Sequence, residues 1–216
     1  MRDIDLVRTY CRNNLGNVFD FNYASRHVFS SIKPANLRTY VVRLVKDGTL
    51  RQISKGVFLI GESSLSDEER VIRHYTSDFD GSLDGILAGE ALLYDLGIID
   101  KKPDKTLIYS NLTVGNKNIG NVRVEQLNVS YYFEMRDLVI LLELIRLYNI
   151  VDPDSCEYFD AVQKYIFRIP KIELNKELVN KFRRNVFVTL DSYLRLFNKS
   201  NHEVKKQYAD LQDKTR

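Results

Sequence analysis

The chain has 216 residues, 44% of them hydrophobic and 28% charged, with four prolines and ten glycines, a composition that excludes collagen-like and disordered chains and leaves material for a substantial core. The longest apolar run, Leu138 to Leu147, is broken by Glu143 and Arg146 and falls short of the roughly 18 residues a membrane span requires, so no membrane partner is expected. The net charge of +3 is unevenly spread: residues 1–61 carry ten basic and four acidic residues, a net of +6, and residues 62–216 carry 22 and 25, a net of −3.

The first ten residues alternate charged and apolar positions and hold no apolar segment of the kind a secretory leader needs, so a cytoplasmic setting is expected. Cys11 and Cys156 lie too far apart to suggest a disulfide framework or a zinc site and read as buried or idle thiols.

Ile4, Leu6, Val7, Tyr10 and Cys11 recur at helical spacing and predict a first helix from Asp3 to Asn13, with Asp3 as its cap. Val18 and Phe19 lead to a second helix capped by Asp20 or Asn22 and presenting Tyr23, Ala24, His27 and Val28. A third helix follows, with Ser31 as cap, Pro34 in the first turn and Leu37, Val41, Leu44 and Val45 as its core stripe, until Asp47-Gly48 stops the pattern. Thr49–Ile53 and Val57–Ile60 then read as two strands joined by Ser54-Lys55-Gly56. Helix, helix, helix and hairpin in that order predict a winged helix-turn-helix domain over 1–61.

At about 100° per residue, the core stripe of the third helix turns Ala35, Asn36, Thr39, Val42, Arg43 and Lys46 outward, with Lys33 and Tyr40 flanking. Arg43 has the geometry to bond guanine in two places and Asn36 adenine, and Thr39 offers a hydroxyl or a methyl. Lys33, Arg38 and Lys46 suit phosphates, and Arg51 and Lys55 on the wing can reach a minor groove or the backbone. The candidate DNA-binding set is therefore Lys33, Asn36, Arg38, Thr39, Tyr40, Arg43, Lys46, Arg51 and Lys55. The competing reading is a protein-contacting winged helix with an ordinary solvated basic face.

Residues 36–61 resemble the N-terminal winged helix of AbiEi-type antitoxins of type IV toxin–antitoxin and phage abortive-infection systems. The resemblance is carried by Arg43-Leu44-Val45-Lys46-Asp47-Gly48, which matches the family's Arg-Leu-x-x-x-Gly close of the recognition helix, and by Lys55-Gly56-Val57-Phe58, which matches its wing. It continues as pattern through Ile86–Ile99, read as a helix, strands at Thr106–Ser110 and Asn121–Val129, the apolar helix Leu138–Tyr148 and the Val151-Asp152-Pro153-Asp154 break. The resemblance implies a non-enzymatic antitoxin that binds double-stranded operator DNA, represses its own operon and counteracts a nucleotidyltransferase-like toxin through its C-terminal domain. It requires no direct complex with the toxin and leaves room for a dimer on DNA. The rival readings are a stand-alone winged-helix regulator whose C-terminal domain binds a ligand or dimerises, and an unfamiliar enzyme with a basic regulatory head.

Gly61-Glu-Ser-Ser-Leu-Ser reads as a connector, so residues 62–216 form the second expected domain, a mixed, mainly helical α+β body. A helix from about Asn175 to Phe197 aligns Leu178, Phe182, Val186, Leu190, Tyr193, Leu194 and Phe197 as a packing stripe, with Lys176, Lys181, Arg183 and Arg184 near its start. Residues 198–216 read as a fraying tail. No catalytic, cofactor or metal site is expected. Asp78-Phe-Asp80-Gly-Ser-Leu-Asp84 has glycine too early for a calcium loop, and Gly115–Gly120 lacks the close of a phosphate loop and reads as a turn. Gly81-Ser82 precedes no Asp-x-Asp pair of the toxin type, and His27, His74 and His202 share no ligand spacing.

Overall fold

The computed structural model describes residues 2–77, 84–152, 155–199 and 203–213. Those residues form a mixed α+β structure, 54% of them helix and 15% strand, and the chain divides into two compact units: Met1–Gly85 with Ile108–Gln126, and Ile86–Leu107 with Leu127–Arg216. Gly61, at the expected domain boundary, falls inside the first unit.

In the first unit, α1 (Asp3–Asn13) buries Val7 and Cys11. Its N-cap is Arg2 without a side-chain cap, so Asp3 stands in the first turn, where a carboxylate meets the positive end of the helix. Val18–Asp20 is strand β1, fully buried. The second helix is short: Asp20 accepts from the backbone N–H groups of Asn22 and Tyr23, opening α2 (Phe21–Tyr23), which widens into a π-turn over Ala24–Val28.

Helix α3 (Pro34–Lys46) buries Leu37, Val41 and Leu44. Lys33, with no side-chain cap, occupies the N-cap position expected of Ser31, and Pro34 occupies the first turn, where its missing N–H costs nothing. Val45 departs from the expected stripe and is 36% exposed. Gly48, at φ +81°, ends the helix in the left-handed conformation that residues with a Cβ adopt at a cost. Asp47 holds the exit, accepting from the Thr49 N–H (3.1 Å) and hydroxyl (2.6 Å), while Arg8 of α1 reaches its other oxygen at 3.4 Å. These contacts, the Thr49 hydroxyl foremost, hold the Asp47 carboxyl below its ordinary pKa.

Strands β2 (Leu50–Ser54) and β3 (Val57–Ile60) pair antiparallel, and β1 adds to the far side of β3 in the order β1-β3-β2. Phe19, Phe29, Leu37, Leu44, Leu50 and Phe58 share one core with Val7 and Cys11. Burial raises the Cys11 thiol to about 11, which leaves it an unreactive packing group. Cys156 is exposed.

Helix α4 (Asp67–Thr76) opens on a capping box in which Ser66 and Glu69 satisfy each other's backbone N–H groups. Its Arg70, 4% exposed, donates to the carbonyls of Gly16 (2.7 Å), Ile60 (2.9 Å), Gly61 (3.1 Å) and Asn17 (3.4 Å). The Tyr75 hydroxyl donates to Asp20 Oδ2 at 2.8 Å, and burial pushes that phenol well above its ordinary pKa.

The chain continues through β4 (Gly85–Ala88) and α5 (Glu90–Asp95), so the helix expected over Ile86–Ile99 is a strand followed by a short helix. The division falls at Gly89, whose φ of +60° and ψ of −150° lie in a region essentially reserved for glycine. Strand β5 (Thr106–Ser110) follows, then the antiparallel pair β6 (Lys117–Ile119) and β7 (Val122–Gln126), neighbours in the order β5-β7-β6. The expected Gly115–Gly120 turn thus contains a strand, and the chain reverses after it.

The second unit centres on α6 (Phe133–Leu147), buried on nearly every side and packed against α7 (Cys156–Arg168). The Tyr158 hydroxyl of α7 donates to the Leu144 carbonyl at 3.1 Å. Buried Glu143 accepts from the Gly89 N–H at 2.7 Å and pairs with Arg146 at 2.5 Å. The single helix expected over Asn175–Phe197 is two, α8 (Lys176–Lys181) and α9 (Arg184–Leu196). Phe182 adopts extended backbone between them and is buried. In place of a fraying tail, residues 204–213 form α10 (Val204–Asp213), packed on α8 and α9 with Val204 buried. Lys199 donates to the carbonyls of Ile166 (2.9 Å) and Ile169 (3.0 Å), satisfying the end of α7.

Candidate functional site

Exposed cations without an ion pair surround α3 in the first unit. Lys33, Asn36, Arg38, Thr39, Arg43 and Lys46 are exposed on the helix, as are Arg51 and Lys55 on the hairpin, and Tyr40 is half-buried against the core. Lys33, Arg43, Lys46 and Lys55 form no ion pair among the described residues.

These side chains do not all address one place. Asn36 and Arg43 share one flank of α3, Thr39 and Lys46 lie near its outermost line, and Arg38 lies on the opposite flank with Val42 and Val45. Thr39 bonds back to the Ala35 carbonyl at 3.1 Å, which orients its methyl and hydroxyl. The Arg38 guanidinium sits 5.5 Å from the centre of the Phe21 ring, a cation–π arrangement that holds it against the protein.

Arg51 differs from the expectation of a free wing cation. Its Nη2 lies 2.5 Å from Asp67 Oδ1, and this bond keeps the Asp67 carboxyl below its ordinary pKa. An arginine so engaged presents less net positive charge to a polyanion than Lys55 at the hairpin turn.

Between the Arg38 flank of α3 and the hairpin runs a groove of about 970 Å³. Arg38, Val41, Val42, Val45 and Lys46 form one wall, Gln52, Ser54, Lys55, Gly56 and Phe58 the other, and Val114 and Asn116–Asn118 close the end, with Phe21 and Asn22 alongside. No aspartate or glutamate lines it. Val42 is 50% exposed. Asn36, Thr39 and Arg43 do not line the groove.

Sequence reasoning missed the β6 contribution. The Ser54 hydroxyl donates to the Asn118 carbonyl at 3.1 Å, and Lys117 reaches Asp20. Asp20 thereby joins four donors: two backbone N–H groups, a phenol and an ammonium. The only sequence signal is Lys117 between two asparagines, since its partner stands 97 residues earlier.

Among the described residues no group of three His, Cys, Asp or Glu side chains could hold a metal, and no helix is long and apolar enough to cross a membrane. Asp78, Asp80, Gly81, Ser82, Pro153, Asp154 and His202, singled out in the sequence, lie outside the described residues. No protein-family model matches the chain, and no curated protein matches it.

Proposed function

We propose that the chain is a DNA-binding regulator in which α3 and the β2–β3 hairpin work as the recognition helix and wing of a winged helix. The observation that carries this reading is the exposed flank of Asn36, Thr39, Arg43 and Lys46, whose cations, like those of Lys33 and Lys55, have no carboxylate partner among the described residues. Arg43 and Asn36 would meet base edges, and the lysines phosphates. Following the sequence resemblance, we further propose that it is the antitoxin of a type IV pair. It would repress its own operon from the cytoplasm and counteract a nucleotidyltransferase-like toxin without catalysis of its own.

The DNA reading is tested by fluorescence anisotropy with a duplex from the region upstream of its own gene. Arg43→Ala is expected to cost about 1 to 3 kcal/mol on that duplex and less on an unrelated one. Log affinity should fall with log salt at about −0.9 for each phosphate contacted. Equal loss on both duplexes would remove Arg43 from base reading, and salt-independent binding would sink the interface as a whole. The antitoxin reading is tested by growth of bacteria expressing the neighbouring gene with and without this chain. Toxicity relieved by the chain is expected, and a harmless neighbour would leave a stand-alone regulator.

A further inference from the structure

The groove and the base-reading flank are different surfaces of the same helix. Asn36 and Arg43 turn away from the groove, while Arg38, Val42 and Val45 turn into it. A phosphate backbone laid in the groove would bring its most hydrated atoms against Val42, Val45, Val114 and Phe58 and lose water without gaining hydrogen bonds there. The walls nevertheless call for an anion: Arg38, Lys46 and Lys55 line them and no carboxylate does. The Lys117 ammonium is already matched by Asp20.

An occupant that satisfies both conditions carries aliphatic side chains along one stripe and carboxylates on either side. We infer that this groove is the docking site for an acidic amphipathic segment of a partner protein, its apolar stripe on Val42 and Val45 and its carboxylates toward Arg38, Lys46 and Lys55. This is helix-in-groove recognition, with charge setting the choice of partner. The inference shares Lys46 and Lys55 with the DNA reading but does not depend on it, because the groove's shape and lining would bind such a segment whether or not the other flank reads bases.

The experiment is a titration of the full chain, without DNA, into a fluorescein-labelled helical peptide of about 14 residues with leucines at i, i+3, i+4 and i+7 and glutamates flanking them. Two companions replace the glutamates by lysine or the leucines by serine. Saturable binding of the acidic leucine peptide is expected, weakened about tenfold or more in each companion and in Val42→Glu and Lys55→Glu proteins, and unchanged in Arg43→Ala. Val42 and Lys55 are exposed, so both variants should keep the native circular dichroism spectrum, and each reports on a different wall. Failure of the acidic peptide to saturate, or equal binding of the serine peptide, overturns the inference. So does a Val42→Glu protein that binds peptide normally but loses duplex DNA, which would give the groove to nucleic acid. Sedimentation showing a dimer that Val42→Glu dissociates would give it to a second copy of the chain, and likewise overturns it.

Discussion

Arg70 binds backbone instead of a carboxylate, and its four acceptors belong to the loop before β1 and the end of β3. Burial pulls its pKa down, yet a guanidinium stays charged in protein interiors, so its donors must remain matched. Arg70→Ala is expected to cost about 3 kcal/mol in urea denaturation by orphaning buried carbonyls, and Arg70→Lys to restore only part of that, since one ammonium cannot span the fork. A lysine variant as stable as the parent would show that the charge alone suffices. At this scale the outward residues of α3 were legible, because Leu37, Val41 and Leu44 set the helical phase and every neighbour's direction follows. Val45 was misread because it is apolar at stripe spacing, although it turns toward the groove. The Asp20 cluster was illegible, because Tyr75 and Lys117 lie 55 and 97 residues from it and nothing local announces them.

A helix with a stop signal at each end was read well: Pro34 and Gly48 frame α3. The apolar helix that the resemblance implied over Leu138–Tyr148 opens earlier, at Phe133, because Glu134 and Arg136 interrupt the apolar run without interrupting the helix. Elements failed where the break lies in one residue's backbone. Gly89 splits Ile86–Ile99 into strand and helix, and Phe182 leaves the helix with its side chain buried, although both stretches keep a helical pattern throughout. The α6–α7 pair carries an electrostatic cost that can be measured. Asp137 of α6 has no exposed side-chain surface, and Arg168 of α7 lies 3.0 Å from its Oδ2 while stacking on Phe133. Burial outweighs the attraction of Arg168 and raises the Asp137 pKa. A carboxyl with a folded pKa above its unfolded value favours folding at low pH and loses that contribution as pH climbs from about 4 through the folded value. Asp137→Asn does not titrate, so its melting temperature relative to the parent should rise between pH 4 and pH 7. A flat difference would mean that Arg168 fully compensates the charge.

Across the whole molecule, the charge division at Gly61 does not follow the fold: the first unit carries 14 basic and 12 acidic residues, a net of +2, and the second 18 and 17, a net of +1. The compact units were not legible in the sequence. They are assembled from separated stretches, and no linker of unusual composition marks where the chain passes between them. A cut after Gly61 removes every acceptor of Arg70 and the Asp20 partner of Tyr75 from a chain that keeps both donors. Residues 62–216 alone should therefore show rapid hydrogen exchange through α4, measured by mass spectrometry, where the full chain is protected. Protection of α4 equal to that of the full chain would show that those contacts are dispensable. The chain passes from one unit to the other after Gly85, after Leu107 and after Gln126. Recombination with one crossover consequently never exchanges one unit whole and by itself, and swapping either unit as an intact cassette requires all three junctions to be respected at once.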